Sequence, residues 1–254
     1  MSPETSGSHK SIVIIACAVF RDVINAYPGA RDATVVFMDY GLHLTPRKMR
    51  AAIQEQIDAL AAPSMVMIGF GLCGNGLAGI QPRCHTLVIP RIDDCVSLYL
   101  GSRAAYLDAF QAGPATYYLT PGWLECGGEP MSEHRKCVDQ YGLEKAGMVS
   151  DMLYGKYRNV CFVAFTPEEM DRYRPRALEV AAFCREHWGW LYSERLGSDR
   201  LIRRLIDMGR IGPEEADGEF VIVKPGGEVR QEEFLLTPIL SGDDSCISTT
   251  KSPK

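Results

Sequence analysis

The chain has 254 residues, 46% hydrophobic and 23% charged, with a formal net charge of -5 and a pI near 5.6. That length supports one large core or two small lobes, and the mild acidity gives no reason to expect a nucleic-acid or other polyanionic partner. No apolar run approaches the roughly 20 residues that span a bilayer, and "MSPETSGSHK" has no apolar signal region behind a basic start, so a soluble cytoplasmic protein is expected.

"IVIIAC" (12–17) reads as a buried strand, and "AVFRDVINAY" has helical spacing of its apolar positions. Strand "ATVVFMD" (33–39) follows, then a helix over 45–60 that opens with Thr45 as cap and Pro46 as its first residue. Strand "MVMIGF" (65–70), a glycine loop, strand "TLVIP" (86–90), a helix over 94–110 and a strand over 115–123 complete the first series. Residues 130–156 are helical and irregular. A second series has strands at 159–165, 189–196 and 219–225 with helices over 167–187 and 198–208. Strands alternating with helices predict an α/β fold with parallel sheets, Rossmann-like units and two lobes around a cleft. The expected boundaries are 11–125 for an N-terminal lobe, 126–235 for a C-terminal lobe and 236–254 for a loose polar tail, which leaves Cys246 out of consideration.

Nine cysteines carry more weight in a reducing compartment, where clustered thiols point to metal binding or catalysis. Cys161 and Cys184 sit in apolar runs and read as packing residues. In parallel α/β sheets ligands bind beyond the carboxyl ends of the strands. Cys17 ends the first strand, Cys73 lies three residues past the third, and Cys95 five past the fourth. The three are therefore expected to meet on one sheet edge, each opening a helix whose positive end lowers the thiol pKa. Three thiolates at one place repel unless a cation joins them, so Cys17, Cys73 and Cys95 are candidate metal ligands.

The loop "GFGLCGNG" also has rival readings. It contains G-x-G-x-x-G, but in the third unit and without the acidic residue that a dinucleotide site requires; it also lacks the Lys-Ser/Thr ending of a phosphate loop. A nucleophilic Cys73 has no obvious partner, with His43 and His85 near other loops, and a plain structural turn remains open. Gly74, Asn75 and Gly76 are expected to bring backbone amides close to a bound centre, with Ser97 beside it. In "PRIDDCVSLYLGS", Asp93 or Asp94 caps the helix and the other is a candidate proton donor, while Arg91 and Arg103 are candidates for holding an anionic group. Thr120 and Trp123 would form one wall. Cys126, Cys137 and His134 fall in "CGGEPMSEHRKC", whose spacing matches no zinc knuckle.

"IIAC", "GFGLCGNG", "LVIPRIDDCVSLYLGSR" and "TYYLTPGW" together resemble the signature blocks of the family called domain of unknown function 1638, over roughly residues 11–225. The resemblance implies that Cys17, Cys73 and Cys95 belong to family blocks, and that relatives often carry His where this chain has Asp93. It also implies a setting beside corrinoid-dependent methyl-transfer systems, with a corrinoid or methyltransferase protein as partner. The family name assigns no activity.

Ligands spread one per βα unit, with no close pair in sequence, suit a [4Fe–4S] cluster bound by three thiolates with one open iron. A zinc–thiolate site is the alternative, and a module without metal a third. The expected function is a metal-dependent enzyme, a lyase or transferase acting on a small polar substrate, or an accessory that holds a cofactor for a methyltransferase. A homo-oligomer is expected from the frequency of such assemblies.

Overall fold

The computed structural model describes residues 11–235. The terminal tail and Cys246 lie outside them. The chain begins with β1 (Ser11–Cys17), one 3-10 turn at 18–20, α1 (Arg21–Ala26), β2 (Thr34–Met38), α2 (Pro46–Asp58), β3 (Ser64–Gly69), β4 (Thr86–Pro90), α3 (Val96–Leu100) and α4 (Arg103–Ala112). It continues with β5 (Thr116–Leu119), α5 (Pro121–Cys126), α6 (Pro130–Tyr141), α7 (Leu143–Tyr154), β6 (Asn159–Ala164), α8 (Pro167–Trp188), β7 (Leu191–Leu196), α9 (Arg200–Ile211) and β8 (Phe220–Val223).

Two sheets form, one of five strands in the order β2-β1-β3-β4-β8 and one of three in the order β5-β6-β7. The α/β class is as expected. β1 lies inside the first sheet, parallel to β2 and β3, with Ala16 opposite Gly69 and Cys17 opposite Met38. Its unbroken apolar run follows from cover on both faces, and Ile14, Ile15 and Ala16 are fully buried. α2 contributes Met49, Ile53 and Ile57 to that core at helical spacing, and α9 contributes Leu201, Ile202, Leu205 and Ile206. The second sheet has its own core around Phe162, Val160, Cys184 and Trp190.

Four local expectations are corrected. β5, read as the last strand of the first lobe, pairs with β6 in the second sheet, and the chain returns through α9 to place β8 in the first. β8 is antiparallel to β4, an edge addition that hydrophobic pattern alone does not orient. The helix expected over 94–110 is two helices, because Gly101 adopts a left-handed conformation (φ 84) and Ser102 caps the second through Ala105 N–H. The strand expected to reach 123 stops at Leu119, where Thr120 caps α5 ahead of Pro121. No helix among the described residues is long and apolar enough to cross a membrane.

Two buried imidazoles make stability depend on pH. His85 Nδ1 accepts from Ser64 N–H at 3.1 Å, and His134 Nδ1 meets Ser150 Oγ at 2.9 Å. Burial pushes both below the ordinary histidine value of 6.5, with His187 adding to the effect at His134. The unfolded chain therefore binds more protons below that value, so their contribution is complete above it and declines as the pH falls through it. The melting temperature should be lower at about pH 5.5 than at about pH 7.5, and the drop should shrink in His134→Asn, which keeps a polar partner for Ser150 but cannot protonate. An undiminished drop in that variant would contradict this assignment.

Candidate functional site

The carboxyl ends of β1, β3 and β4 lie side by side, as the parallel pairing requires, and each leads to a cysteine. The β3–β4 ladder continues into the loops: Leu72 N–H donates to Ile92 O at 3.0 Å and Cys73 N–H to Asp93 O at 2.8 Å. The glycines permit this approach. A Cβ on Gly69 would stand 2.7 Å from Ala16 Cβ, and one on Gly71 would stand 2.7 Å from Asp94 Cα. The result is a Cys73 Sγ to Cys95 Sγ separation of 3.9 Å. Cys17 is close enough that the charge of Cys95 is felt at its thiol, and its own charge at Cys73.

Cys73 opens an unusual turn rather than a helix. Cys73, Gly74 and Asn75 have φ values of 45, 62 and 68, three left-handed residues in succession. For residues other than glycine this costs on the order of 1–3 kcal/mol each, a cost that persists where the surroundings hold the backbone in place. Gly76 N–H closes the turn on Leu72 O at 2.8 Å, and Arg50 of α2 braces it by donating from Nη2 to Asn75 O at 3.1 Å. The Gly74 and Asn75 N–H groups have no partner among the described residues. Sequence reading missed Arg50; its only signal is that it follows Met49 on the buried side of α2.

The expectation that helix ends lower all three thiol pKa values is corrected. Cys17 caps a single 3-10 turn and Cys73 opens the left-handed turn, and of the three Cys95 alone stands at the cap of an α-helix, the five-residue α3. Burial, and then the charge of Cys95, raise the Cys17 thiol well above its ordinary value. The hydrogen bond with Cys95, and then burial, do the same at Cys73. Without a cation these sulfurs are therefore held protonated.

The surroundings contain donors without acceptors. Among the described residues, Ser97 Oγ, Arg91 Nε and Arg50 Nε are buried with no hydrogen-bond partner, and Ser97 is fully buried. Buried polar groups are normally paired. These three unpaired donors sit on the segments that carry Cys95 or brace the Cys73 turn, Ser97 two residues after Cys95 in α3, Arg91 ahead of it in the same loop and Arg50 on α2. The separation of 3.9 Å is close to the roughly 3.8 Å between two thiolates on one tetrahedral zinc with bonds of about 2.3 Å. In a cluster each thiolate caps a different iron, so these two sulfurs would have to rotate apart.

The two aspartates have separate surroundings. Asp93 pairs with Arg103 at 3.2 Å on the rim. Asp94, one residue before the cap, accepts from Val96 N–H of the first turn of α3 at 2.9 Å, while burial raises its carboxyl pKa and Tyr106 lies against it. Its charge reaches Cys73. A cleft of about 180 Å³ opens at Ala18 and Val19, just after Cys17, with Tyr99, Glu125, Cys126, Phe165 and Glu169 on its walls; Cys17, Cys73 and Cys95 do not line it.

Pro121 and Gly122 also line that cleft, whereas Thr120 caps α5 and the Trp123 ring meets His43 edge-on at 6.3 Å. Exposed His43 bonds Tyr40 O at 2.6 Å, and His85 lies at the opposite, amino end of β4. Cys161 and Cys184 are buried core residues. Cys126, at the end of α5, is near enough to Cys17 for its charge to be felt there, which the spacing to Cys137 could not reveal.

Among the described residues, no three His, Cys, Asp or Glu side chains are grouped as the ligands of a single metal ion. A family model described as "Protein of unknown function (DUF1638)" matches residues 37–205, a span that includes Cys73 and Cys95 and leaves Cys17 outside. No curated protein and no solved structure matches the chain significantly.

Proposed function

We infer that this chain, which belongs to the DUF1638 family, is a metal-dependent enzyme or enzyme component whose centre is held by Cys17, Cys73 and Cys95. The observation that carries the reading is the placement of these cysteines just past the carboxyl ends of three neighbouring parallel strands. A [4Fe–4S] cluster bound by three thiolates would supply an open iron acting as Lewis acid toward a small polar substrate. The chain's own residues then have distinct tasks. The Gly74 and Asn75 amides and Ser97 Oγ donate hydrogen bonds to the anionic centre. Asp94, beside Cys73 and Tyr106, holds or passes a proton at its carboxyl oxygen. Arg91 attracts an anionic substrate group, and Asp93 fixes Arg103 for the same purpose.

One zinc ion on Cys73 and Cys95 is a second reading, favoured by their separation of 3.9 Å. Serine at position 17, 73 or 95 separates the two. All three variants should lose the cluster if iron is bound. Under the zinc reading Cys73→Ser and Cys95→Ser should lose metal while Cys17→Ser keeps most of it. Unchanged metal content in all three would refute the site, and a protein that binds candidate small molecules without turnover would favour an accessory role.

A further inference from the structure

The helix α7 is apolar on two opposite faces. Its inner face packs against α6 and the second sheet: Ala146 and Ser150 are buried, Ser150 Oγ meets His134 Nδ1 at 2.9 Å, and the Tyr154 ring meets Tyr117 edge-on at 6.1 Å. The outer face carries Met148, Val149, Met152 and Leu153, all exposed. Met148 and Met152 are four residues apart, as are Val149 and Leu153, so they form two adjoining rows of one stripe. A helix with apolar residues all round is normally covered on both sides.

Among the described residues thirteen large apolar side chains are exposed, and six of them lie between 141 and 153: these four, with Tyr141 and Leu143 at the turn from α6 into α7. Met152 is 81% exposed, Leu143 72% and Met148 68%. Single exposed apolar residues are ordinary, whereas a contiguous group marks a contact surface. At roughly 100 Å² for a fully exposed apolar side chain, the six offer on the order of 400 Å². A standard interface takes about 800 Å² from each partner, a little over half of it apolar. The stripe therefore supplies by itself the apolar share of one such interface.

We propose that the outer face of α7 is an interface between two copies of this chain, packed about a two-fold axis with their α7 helices crossing antiparallel. A two-fold contact needs one self-complementary patch, and flexible methionines adapt readily to their own copies. The rim fits this occupant. Glu144 and Lys145 lie at the start of the helix and Asp151 near its end, and among the described residues none of the three is in an ion pair. An antiparallel crossing brings Lys145 of each copy to the end of the other that carries Asp151. Trp188 Nε1 donates to Asp151 Oδ1 at 2.8 Å and holds that carboxylate in place. An anionic lipid surface fits less well, because two carboxylates stand beside the stripe against one lysine.

Sedimentation equilibrium of the full-length protein at micromolar concentration tests this. The expected mass is twice the 28.1 kDa of one chain. Met148→Glu with Met152→Glu sets like charges against each other in the interface and should weaken association at least about a hundredfold. Met148→Leu with Met152→Leu should keep it. Leu191→Glu, at 69% exposure on the edge strand β7, should leave it unchanged. Lys145→Glu should weaken it about fivefold, since the exposed pair occurs twice, and adding Asp151→Lys should restore most of that loss. Every substitution is at an exposed position, so each variant should keep the wild-type circular dichroism. A wild-type monomer, or a dimer that survives Met148→Glu with Met152→Glu or dissociates with Leu191→Glu, would overturn the proposal. A monomer that co-floats with anionic vesicles would overturn it too, and make the stripe a lipid contact. A double charge exchange that restores nothing would overturn the antiparallel crossing.

Discussion

Gly71→Ala is expected to destabilise the protein by about 3 kcal/mol and to abolish metal retention. The added methyl would lie 2.7–2.8 Å from the N, Cα and C atoms of Asp94, all backbone, so no side chain can swing aside to make room. Relief requires the loop after β3 to part from the loop after β4. That movement breaks the Leu72–Ile92 and Cys73–Asp93 hydrogen bonds and separates the two sulfurs. Gly147→Ala is the control: nothing lies within 4 Å of a Cβ there, and the site is inside α7, so stability should hold or rise. Urea unfolding with metal analysis on the same samples gives both readouts. A Gly71→Ala protein as stable as wild type, with full metal content, would show that close approach of these loops does not build the site.

The second large effect is at Tyr99, which joins the two sheets where the site lies. Its ring stacks on Phe165 at 4.9 Å and packs on Phe20 at 5.0 Å, and its hydroxyl donates to Val19 O at 2.9 Å. Val19 and Phe20 follow Cys17 and Phe165 follows β6, so one buried side chain ties the α3 helix opening at Cys95 to both strand ends. Tyr99→Ala should cost about 4 kcal/mol, as for other large aromatic truncations. Tyr99→Phe should cost about 1 kcal/mol, because the ring stays and the Val19 carbonyl loses its donor. Equal losses in the two variants would mean that the hydroxyl, and not the ring stack, couples the sheets.

The parts of this protein legible in its sequence are those fixed by short-range pattern. The apolar runs that become β1, β3 and β4 are continuous because both faces of a parallel sheet are covered, and that same parallelism sends Cys17, Cys73 and Cys95 to one edge. The glycine loop around Cys73 is legible as a whole, and Gly69 and Gly71 gain a role from the structure: they admit the neighbouring strand and loop at Ala16 and Asp94. Features set by distant contacts were hidden. The direction of β8 depends on where α9 delivers the chain, and the pairing of β5 with β6 depends on a crossover of some forty residues. Arg50 reaches Asn75 across 25 positions, and no local pattern marks it. The helix-end argument for the thiols failed because a strained turn replaced the helix expected after Cys73.

A thiolate metal centre at Cys17, Cys73 and Cys95 has a measurable composition. Its most direct test is the iron, zinc and acid-labile sulfide content of the full-length protein purified without oxygen. The expected result is a brown protein holding about four iron and four sulfide per chain. About one zinc per chain and no sulfide would replace the cluster by the single-ion reading. A colourless protein with neither metal, in which all three thiols react independently with an alkylating agent, would contradict the central claim.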